Sequence, residues 1–306
     1  MRLSHLSRDL SGSASYINDI EMTIYLSTVI SVVIPTYNSA QWIKECIESA
    51  LQFDEVGQVI IVDDGSTDNT GSLIEQLSQR DGRIEIYTHP NQANLGRSAS
   101  RNLGIQRANQ EWIAFLDADD YYLPNRFDTI DLHGTADGYY GFIQTKYEGK
   151  DLQNSFPQEI TGISDQVLPR ELFIFLTDQT EQYFSIISLI VKKTALEQIG
   201  GYDENLQVGE DTDLIWRLAY SCILESVQHQ LPIAMRRIHG QNTHQQYSLK
   251  SKFYKKWIDQ TDIRLSSAAR KRLIATYLSY APEYSKRSWI TKKLLSYWWL
   301  FSKASL

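Results

Sequence analysis

Several features that define other protein classes are scarce or missing in this chain. Its 306 residues include only two cysteines, Cys46 and Cys222, which offer neither a disulfide framework nor the spacing of a metal site. No apolar run approaches the roughly 18 residues that span a bilayer. The N-terminus also lacks the apolar segment and small-residue cleavage site of a secretory signal. These absences argue against a disulfide scaffold, a transmembrane protein and a secreted protein, and they predict a cytoplasmic one.

Short apolar runs alternate with helical patterns through the first 120 residues. Strands are predicted over 29–35, 59–62, 83–88 and 111–116, with apolar residues at helical spacing between them. Further along, strands are predicted at 139–147 and 186–191, and helices at 170–176 and 211–219. Alternation of strands and helices implies a mostly parallel central sheet flanked by helices. The predicted fold class is therefore α/β and Rossmann-like.

The loop after the first predicted strand contains no glycine. Its sequence over residues 35–40 is PTYNSA. The dinucleotide-binding fingerprint and the Walker phosphate loop both require glycines at this position. The loop therefore argues against a dehydrogenase and against a P-loop enzyme.

Three carboxylates, Asp117, Asp119 and Asp120, follow the fourth predicted strand. Ligands gather at the carboxyl ends of parallel strands, and repulsion between acidic groups there favours a divalent cation, Mn²⁺ or Mg²⁺. Alternate residues of an extended segment point to the same side, so Asp117 and Asp119 can share one ion while Asp120 points elsewhere. The structural alternative is a surface turn that caps a helix starting near Pro124, and Asp120 fits that alternative better.

Other polar groups have both a functional and a structural interpretation. Asp63 and Asp64 follow the second strand, where carboxylates either accept hydrogen bonds from a nucleobase or ribose, or cap a helix. Glu210 and Asp211 begin a predicted helix, whose dipole stabilises carboxylates. A carboxylate there could also be a general base that takes the proton from an attacking hydroxyl. His239 is either a surface histidine or a group that reaches the metal or a diphosphate.

Six motifs, taken together, resemble those of family 2 glycosyltransferases of the GT-A fold. They occur in the family's order and at familiar spacing, across about residues 29–245. The motifs are SVVIPTYN at 31–38, VDDGSTD at 62–68, NLG at 94–96 leading to RN at 101–102, FLDADD at 115–120, GGYDE at 200–204, and GED at 209–211. Each motif alone is a weak signal, whereas six in register are a strong one.

The resemblance implies a nucleotide-binding role for several of these residues. The resemblance implies that four residues contact the nucleoside, which is usually uridine: Thr36, Tyr37, Asn38 and Asp64. Arg101 would then lie near the nucleotide diphosphate.

The resemblance also implies a metal and a catalytic base. Asp117 and Asp119 match the family's DxD motif, in which the last aspartate binds the metal and the first usually holds the ribose or the metal shell. Asp211 matches the catalytic base, and His239 matches a late histidine that some members bring over the metal and diphosphate. The stretch 149–178 matches no pattern and lies where acceptors normally bind.

The activity implied by the resemblance is transfer of a sugar from a nucleoside-diphosphate sugar to a hydroxyl group. The expected donor is a UDP-sugar, the acceptor is a glycan or lipid-linked saccharide of the cell envelope, and the cofactor is Mn²⁺ or Mg²⁺. Direct displacement would invert the anomeric centre. No nucleic-acid partner is expected. Two alternatives remain: a non-catalytic sugar-nucleotide-binding protein, and a sugar-1-phosphate nucleotidyltransferase, although the latter would normally carry a Gly-rich loop after the first strand.

The chain divides into four predicted segments. Residues 1–28 form an N-terminal extension, 29–126 the nucleotide-sugar-binding half, 127–245 the acceptor-binding half with the base, and 246–306 a basic, aromatic helical tail. Residues 250–306 hold 13 Lys or Arg against 3 Asp or Glu, a charge of +10 in a chain whose net charge is −7. The tail is either a helical cap with its aromatics on the core and its lysines in water, or a peripheral contact with an anionic membrane surface.

Overall fold

The computed structural model describes residues 30–148, 159–178, 182–227, 231–240, 247–260, 263 and 265–280. The predicted extension at 1–28 lies outside these ranges, as do residues 281–306 of the predicted tail.

Strands and helices alternate through the first part of the described chain, as the sequence predicts. The elements are β1 (Ile30–Thr36), α1 (Ile43–Leu51), β2 (Val56–Asp63), α2 (Thr70–Ser78), β3 (Ile84–Thr88), a 3-10 turn (Pro90–Gln92), α3 (Arg97–Arg107) and β4 (Trp112–Phe115). Strand β1 pairs in parallel with β2 and with β4, and β2 pairs in parallel with β3. The parallel arrangement predicted for these four strands is confirmed.

The strands next to β1 are almost continuously apolar because helices cover both faces of the sheet. The chain runs from β1 through β2 to β3 and then returns to place β4 on the other side of β1. Right-handed crossovers therefore put α1 and α2 on one face and α3 on the other. Gly104 brings α3 close to the sheet, since a Cβ atom there would collide with the side chain of Val33.

The second part of the chain completes this sheet and builds a smaller one. Its elements are β5 (Tyr121–Tyr122), β6 (Gly138–Tyr140), β7 (Phe142–Tyr147), β8 (Ile160–Thr161), α4 (Pro169–Asp178), a 3-10 turn (Ile186–Ser188), β9 (Ile190–Lys192), α5 (Lys193–Gln198), α6 (Glu210–Ser221), β10 (Leu224–Ser226) and β11 (Pro232–Ile238).

Within the described residues, the larger sheet has seven strands in the order β10, β6, β9, β4, β1, β2, β3. Only β9 runs antiparallel to its neighbours, so this sheet is mostly parallel. The smaller sheet has the order β5, β11, β7, β8. Strands from both predicted halves of the chain pair in the larger sheet, where β4 meets β9.

The prediction of a single strand over 139–147 is wrong. Gly141 separates β6 from β7, and the two strands belong to different sheets. A Cβ atom on Gly141 would lie 2.7 Å from Ile233 and 2.8 Å from Val227, so the turn between the sheets leaves no room for a side chain. The predicted strand at 186–191 is shorter than expected, because residues 186–188 form a 3-10 turn before β9.

The helix expected near Pro124 does not form. The backbone N–H of Leu123 instead continues the pairing of β5 with β11 by donating to the carbonyl oxygen of Ile233 at 3.1 Å. Isolated turns follow, one of them closed by the N–H of Arg126 and the carbonyl oxygen of Leu123 at 3.0 Å. The acidic loop after β4 is therefore tied to a strand rather than to a helix.

The described part of the tail consists of helices α7 (Tyr247–Asp259) and α8 (Ser267–Tyr280), which pack against each other. Trp257 of α7 is fully buried, and its indole N–H donates to Asp213 of α6 at 3.0 Å. Lys256 does not follow the expectation of a solvent-facing lysine, because its ammonium pairs with Asp213 at 2.7 Å and Asp203 at 2.9 Å. Over these residues the tail packs as a cap on the core.

Across the described ranges, every helix falls short of the length and apolarity that a membrane span requires.

Candidate functional site

A cleft of about 720 Å³ opens at the carboxyl ends of β1, β2 and β4. The first turn of α3, the start of α6 and the end of β11 complete its wall. The predicted site residues on this wall are Thr36, Tyr37, Asn38, Asp64, Asp117, Asp119, Asp211 and His239. Arg101 is fully buried behind the wall. Parallel topology explains the grouping, because the ends of neighbouring strands meet at one sheet edge.

The loops after β1 and β2 are joined through Asn38. This residue has a left-handed backbone, with φ at 48°, which asparagine tolerates better than most residues. Its side-chain oxygen accepts a hydrogen bond from the N–H of Thr67 at 2.8 Å, and its own N–H donates to the hydroxyl of Ser66 at 2.9 Å. The adjacent Tyr37 is 50% exposed on the cleft wall, so its ring is available to a ligand.

Asp64 fastens the loop that precedes α3. Its carboxylate is buried and accepts hydrogen bonds from the N–H groups of Leu95 at 2.7 Å and Gly96 at 2.8 Å. Gly65 allows this close approach, since it has a φ of 79° and a Cβ atom there would lie 2.5 Å from the carbonyl oxygen of Gln92. Asp64 thus has a structural role as well as a place on the cleft wall, and its contact with a nucleoside stays a prediction.

Arg101 joins the acidic loop after β4 to the start of α6. Its guanidinium donates to Asp117 at 2.6 Å and to Asp211 at 2.9 Å. The hydroxyl of Tyr202 also donates to Asp211, at 3.2 Å. Burial alone would lower the pKa of Arg101, but the carboxylate of Asp211 and the groups around it raise that pKa well above its usual value. Arg101 therefore stays charged and holds both carboxylates in place.

Glu210 and Arg97 form a second ion pair beside this one. The Nε atom of Arg97 lies 2.9 Å from the carboxylate of Glu210, which is 3% exposed. Burial raises the pKa of Glu210 to about 7, with a further contribution from the charge of Asp211. Arg97 lines the cleft, whereas Arg101, one helical turn later, does not. No role for Arg97 was predicted from the sequence, although the spacing of four residues places both arginines on one face of α3.

Asp119 and His239 meet at the opposite side of the cleft. The Nε2 atom of His239 lies 3.0 Å from a carboxylate oxygen of Asp119. Burial, together with the charge of Asp117, raises the pKa of Asp119. In the part of the chain that the structure describes, no group of three or more His, Cys, Asp or Glu side chains is arranged to hold a metal.

Asp120 has a different hydrogen-bond partner from the other two carboxylates of its loop. It is buried, and its carboxylate accepts a hydrogen bond from the N–H of Arg237 on β11 at 2.7 Å. Burial and the charges of Asp119 and Asp117 raise its pKa well above the usual value. The expectation that Asp120 caps a helix is wrong, because the residue instead ties the acidic loop to β11.

Comparison with known proteins identifies relatives of this chain. Residues 31–199, more than half of the chain, match the model of glycosyl transferase family 2. An uncharacterized glycosyltransferase of Rickettsia bellii (strain RML369-C) is 30% identical over 230 residues, which cover 74% of this chain and 31% of that protein. Succinoglycan biosynthesis protein ExoU of Rhizobium meliloti (strain 1021) is 28% identical over 207 residues, 64% of this chain and 58% of that protein. The chain spans about a third of the length of the first curated relatives it matches.

Solved structures share the fold. The crystal structure of TarS 1–349 from S. aureus matches with a TM-score of 0.56 at 22% identity, covering 83% of this chain and 71% of that chain. The same protein in complex with UDP-GlcNAc matches with a TM-score of 0.57 at 18% identity, again covering 83% of this chain and 71% of that chain. The mostly parallel sheet with flanking helices is thus the GT-A arrangement that the motifs predict. On the match over residues 31–199, the chain belongs to glycosyl transferase family 2.

Proposed function

We propose that this chain transfers a sugar from a nucleoside-diphosphate sugar to a hydroxyl group of a saccharide acceptor. The observation that carries the proposal is one cleft that combines an exposed aromatic ring, the Asp119–His239 pair and the oriented carboxylate of Asp211. These are the parts that such a transfer needs: a surface for a base, a site for a diphosphate and a proton acceptor.

The proposed donor is a UDP-sugar. TarS, which shares the fold, has been crystallised with UDP-GlcNAc and with UDP, which supports this choice. Tyr37 offers its exposed ring to the base. Three arginines, Arg97, Arg236 and Arg237, line the cleft, whereas Arg101 is buried behind it. We assign to Arg97 the contact with the diphosphate, and to Arg101 the alignment of the carboxylates of Asp117 and Asp211.

Asp119 and His239 would hold Mn²⁺ or Mg²⁺ together with the donor diphosphate. The carboxylate oxygen of Asp119 and the ring nitrogen of His239 lie 3.0 Å apart, so both could contribute to holding one ion. Such an oxygen and nitrogen donor set suits Mn²⁺. The ion would stabilise negative charge on the departing diphosphate.

Asp211 is the proposed general base. Its Oδ1 atom is held by Arg101 and Tyr202, and among the described residues its Oδ2 atom accepts no hydrogen bond. Fixing one oxygen orients the carboxylate while leaving the other for the proton of an acceptor hydroxyl. Attack from the side opposite the diphosphate would invert the anomeric centre.

The proposed acceptor is a glycan or lipid-linked saccharide in polysaccharide biosynthesis. The name of the relative ExoU, a succinoglycan biosynthesis protein, supports an acceptor of this class.

A panel of nucleotide sugars, with and without Mn²⁺, tests the donor assignment, because a ligand of the folded state raises the melting temperature by mass action. The stabilising donor is then incubated with the protein and a mixture of saccharide acceptors, and released UDP is measured. We expect Asp211→Asn to keep donor affinity and to lose about 10² to 10⁴-fold in transfer, since it removes the base and keeps the shape. Equal losses of affinity and transfer would refute the role as base, and donor binding without turnover by the unmodified protein would favour a non-catalytic binder.

A further inference from the structure

Five residues form a closed ring of contacts that includes the Asp119–His239 pair. Trp42, the residue before α1, stacks on His239 with ring centroids 4.1 Å apart and planes 22° apart. The indole N–H of Trp42 donates to Glu148 at 3.3 Å, and Glu148 pairs with the Nε atom of Arg237 at 3.2 Å. Arg237 in turn donates to the backbone carbonyl of Asp119 at 2.8 Å, and His239 closes the ring on the Asp119 carboxylate at 3.0 Å.

Each member of this ring restrains its neighbours. Arg237 is 2% exposed and is paired with the carboxylates of Glu45 and Glu148, so its position is set by charge as well as by packing. Trp42 is 9% exposed and presses on one face of the imidazole. A histidine near the surface would otherwise sample several ring orientations. The stacked indole therefore fixes the plane of the imidazole, and the hydrogen bond with Asp119 directs Nε2 within that plane.

The geometry of the Asp119–His239 pair depends on this kind of restraint. The described residues contain no third His, Cys, Asp or Glu side chain to complete a metal site at this position. The geometry of the pair must then be set before the diphosphate arrives, by groups that do not bind the ion. Some residues contact the metal ligands and orient them without binding the ion. Their mutation typically lowers metal affinity by about 10- to 100-fold.

We propose that Trp42 is a positioning residue that fixes the imidazole of His239 for the metal and diphosphate, with Glu148 as its anchor. The inference rests on the proposed function, because it assumes that the Asp119–His239 pair holds the cation. Trp42 acts through His239, so its effect appears in metal-dependent binding and not in nucleotide binding as such.

Calorimetric titration of UDP into the full chain, with Mn²⁺ and with EDTA, tests this proposal. Trp42→Leu removes the stacked ring and should weaken UDP binding in Mn²⁺ by about 10- to 100-fold, with no change in EDTA. Trp42→Phe keeps an aromatic ring and should recover part of that loss. Glu148→Gln keeps the shape of the anchor, weakens its pairing with Arg237, and should shift affinity in the same direction by a smaller factor.

Trp112→Phe is the matched control. Trp112 is fully buried and, like Trp42, donates its indole N–H, in this case to the carbonyl oxygen of Leu132 at 3.2 Å, but it lies outside the ring. Its replacement should leave both affinities unchanged. If Trp42→Leu does not fold, the Trp42→Phe and Glu148→Gln variants decide the question.

Two failures can be told apart. If the unmodified protein binds UDP no more tightly in Mn²⁺ than in EDTA, the metal assignment of the proposed function is wrong, and this inference falls with it. If Mn²⁺ strengthens UDP binding and the Trp42 and Glu148 variants match the unmodified protein, only the positioning role of Trp42 is overturned.

Discussion

Replacing Glu210 with glutamine should remove a pH-dependent penalty on stability. Glu210 is 3% exposed at the start of α6, where it faces Asp211 on its own helix and Arg97 and Arg101 on α3. Burial, followed by the charge of Asp211, raises its pKa from an ordinary 4.5 to about 7, and the two arginines offset only part of this. The folded protein therefore holds this proton over a pH range in which the unfolded chain has released it.

The sign and size of the effect follow from that difference in pKa. Between pH 4.5 and 7 the folded state binds more protons than the unfolded state, so the free energy of unfolding falls as pH rises through this window. Each tenfold change in acidity corresponds to about 1.4 kcal/mol, which gives a penalty of roughly 3 kcal/mol for ionising Glu210, complete above about pH 7. Glutamine has the same shape and does not ionise, so it avoids the penalty.

Urea unfolding at several pH values between 4.5 and 7.5 measures the effect. The advantage of Glu210→Gln over the unmodified protein should grow by roughly 3 kcal/mol across this range. Asp119 and Asp120 also have raised pKa values, but they contribute to both proteins and cancel in the comparison. Glu204→Gln, which changes an exposed carboxyl on the same cleft, is the control and should show no such growth. Parallel pH profiles for Glu210→Gln and the unmodified protein would refute the reasoning.

Three further changes test the cleft and its support. Asp119→Ala should weaken UDP binding in Mn²⁺ by more than about 10-fold because it removes a proposed metal ligand. Unchanged affinity in calorimetry would count against the metal site. Arg97→Gln should weaken UDP binding by about 10- to 100-fold, because it removes one charged hydrogen bond to the diphosphate. Arg107→Gln, at the far end of α3, should leave UDP binding unchanged. Equal effects of the two changes would contradict the diphosphate contact of Arg97. Gly65→Ala should destabilise the fold by about 1–3 kcal/mol, because the backbone of Gly65 is left-handed and a carbonyl oxygen would lie 2.5 Å from the new Cβ atom. Gly82→Ala is the control, since its new Cβ atom meets nothing within 4 Å. Similar melting temperatures for the two variants would disprove this prediction.

Strand β3 lies at the sheet edge and is only partly buried, whereas β1, β2 and β4 were predictable because each lies inside a mostly parallel sheet. Such strands are buried on both faces and form short apolar runs that stand out from the helical patterns between them. The run at 139–147 misled the prediction for the same reason, since its apolar residues serve two sheets and periodicity does not show where the chain crosses from one to the other. Gly141 marks that crossing, and its meaning is visible only once Ile233 and Val227 are seen to pack around it.

The position of the cleft was predictable from topology, whereas the partners of its side chains were not. Polar residues after β1, β2 and β4 had to meet at one sheet edge, as Tyr37, Asp64 and Asp119 do. The alignment of Asp211 by Arg101 depends on how α6 docks against α3, and local sequence does not encode that contact. The stacking of Trp42 on His239 likewise joins distant parts of the chain.

Peripheral membrane contact through residues 250–306 stays a prediction.

A crystal structure of the protein soaked with UDP and Mn²⁺ tests the central claim most directly. The anomalous signal of manganese would locate the ion independently of the nucleotide. We expect a peak roughly 2.2 Å from the carboxylate of Asp119 and from the ring nitrogen of His239, with the uracil beside Tyr37 and the diphosphate between Arg97 and the ion. A nucleotide bound away from this cleft, or a diphosphate in the cleft with no manganese peak at Asp119, would contradict it.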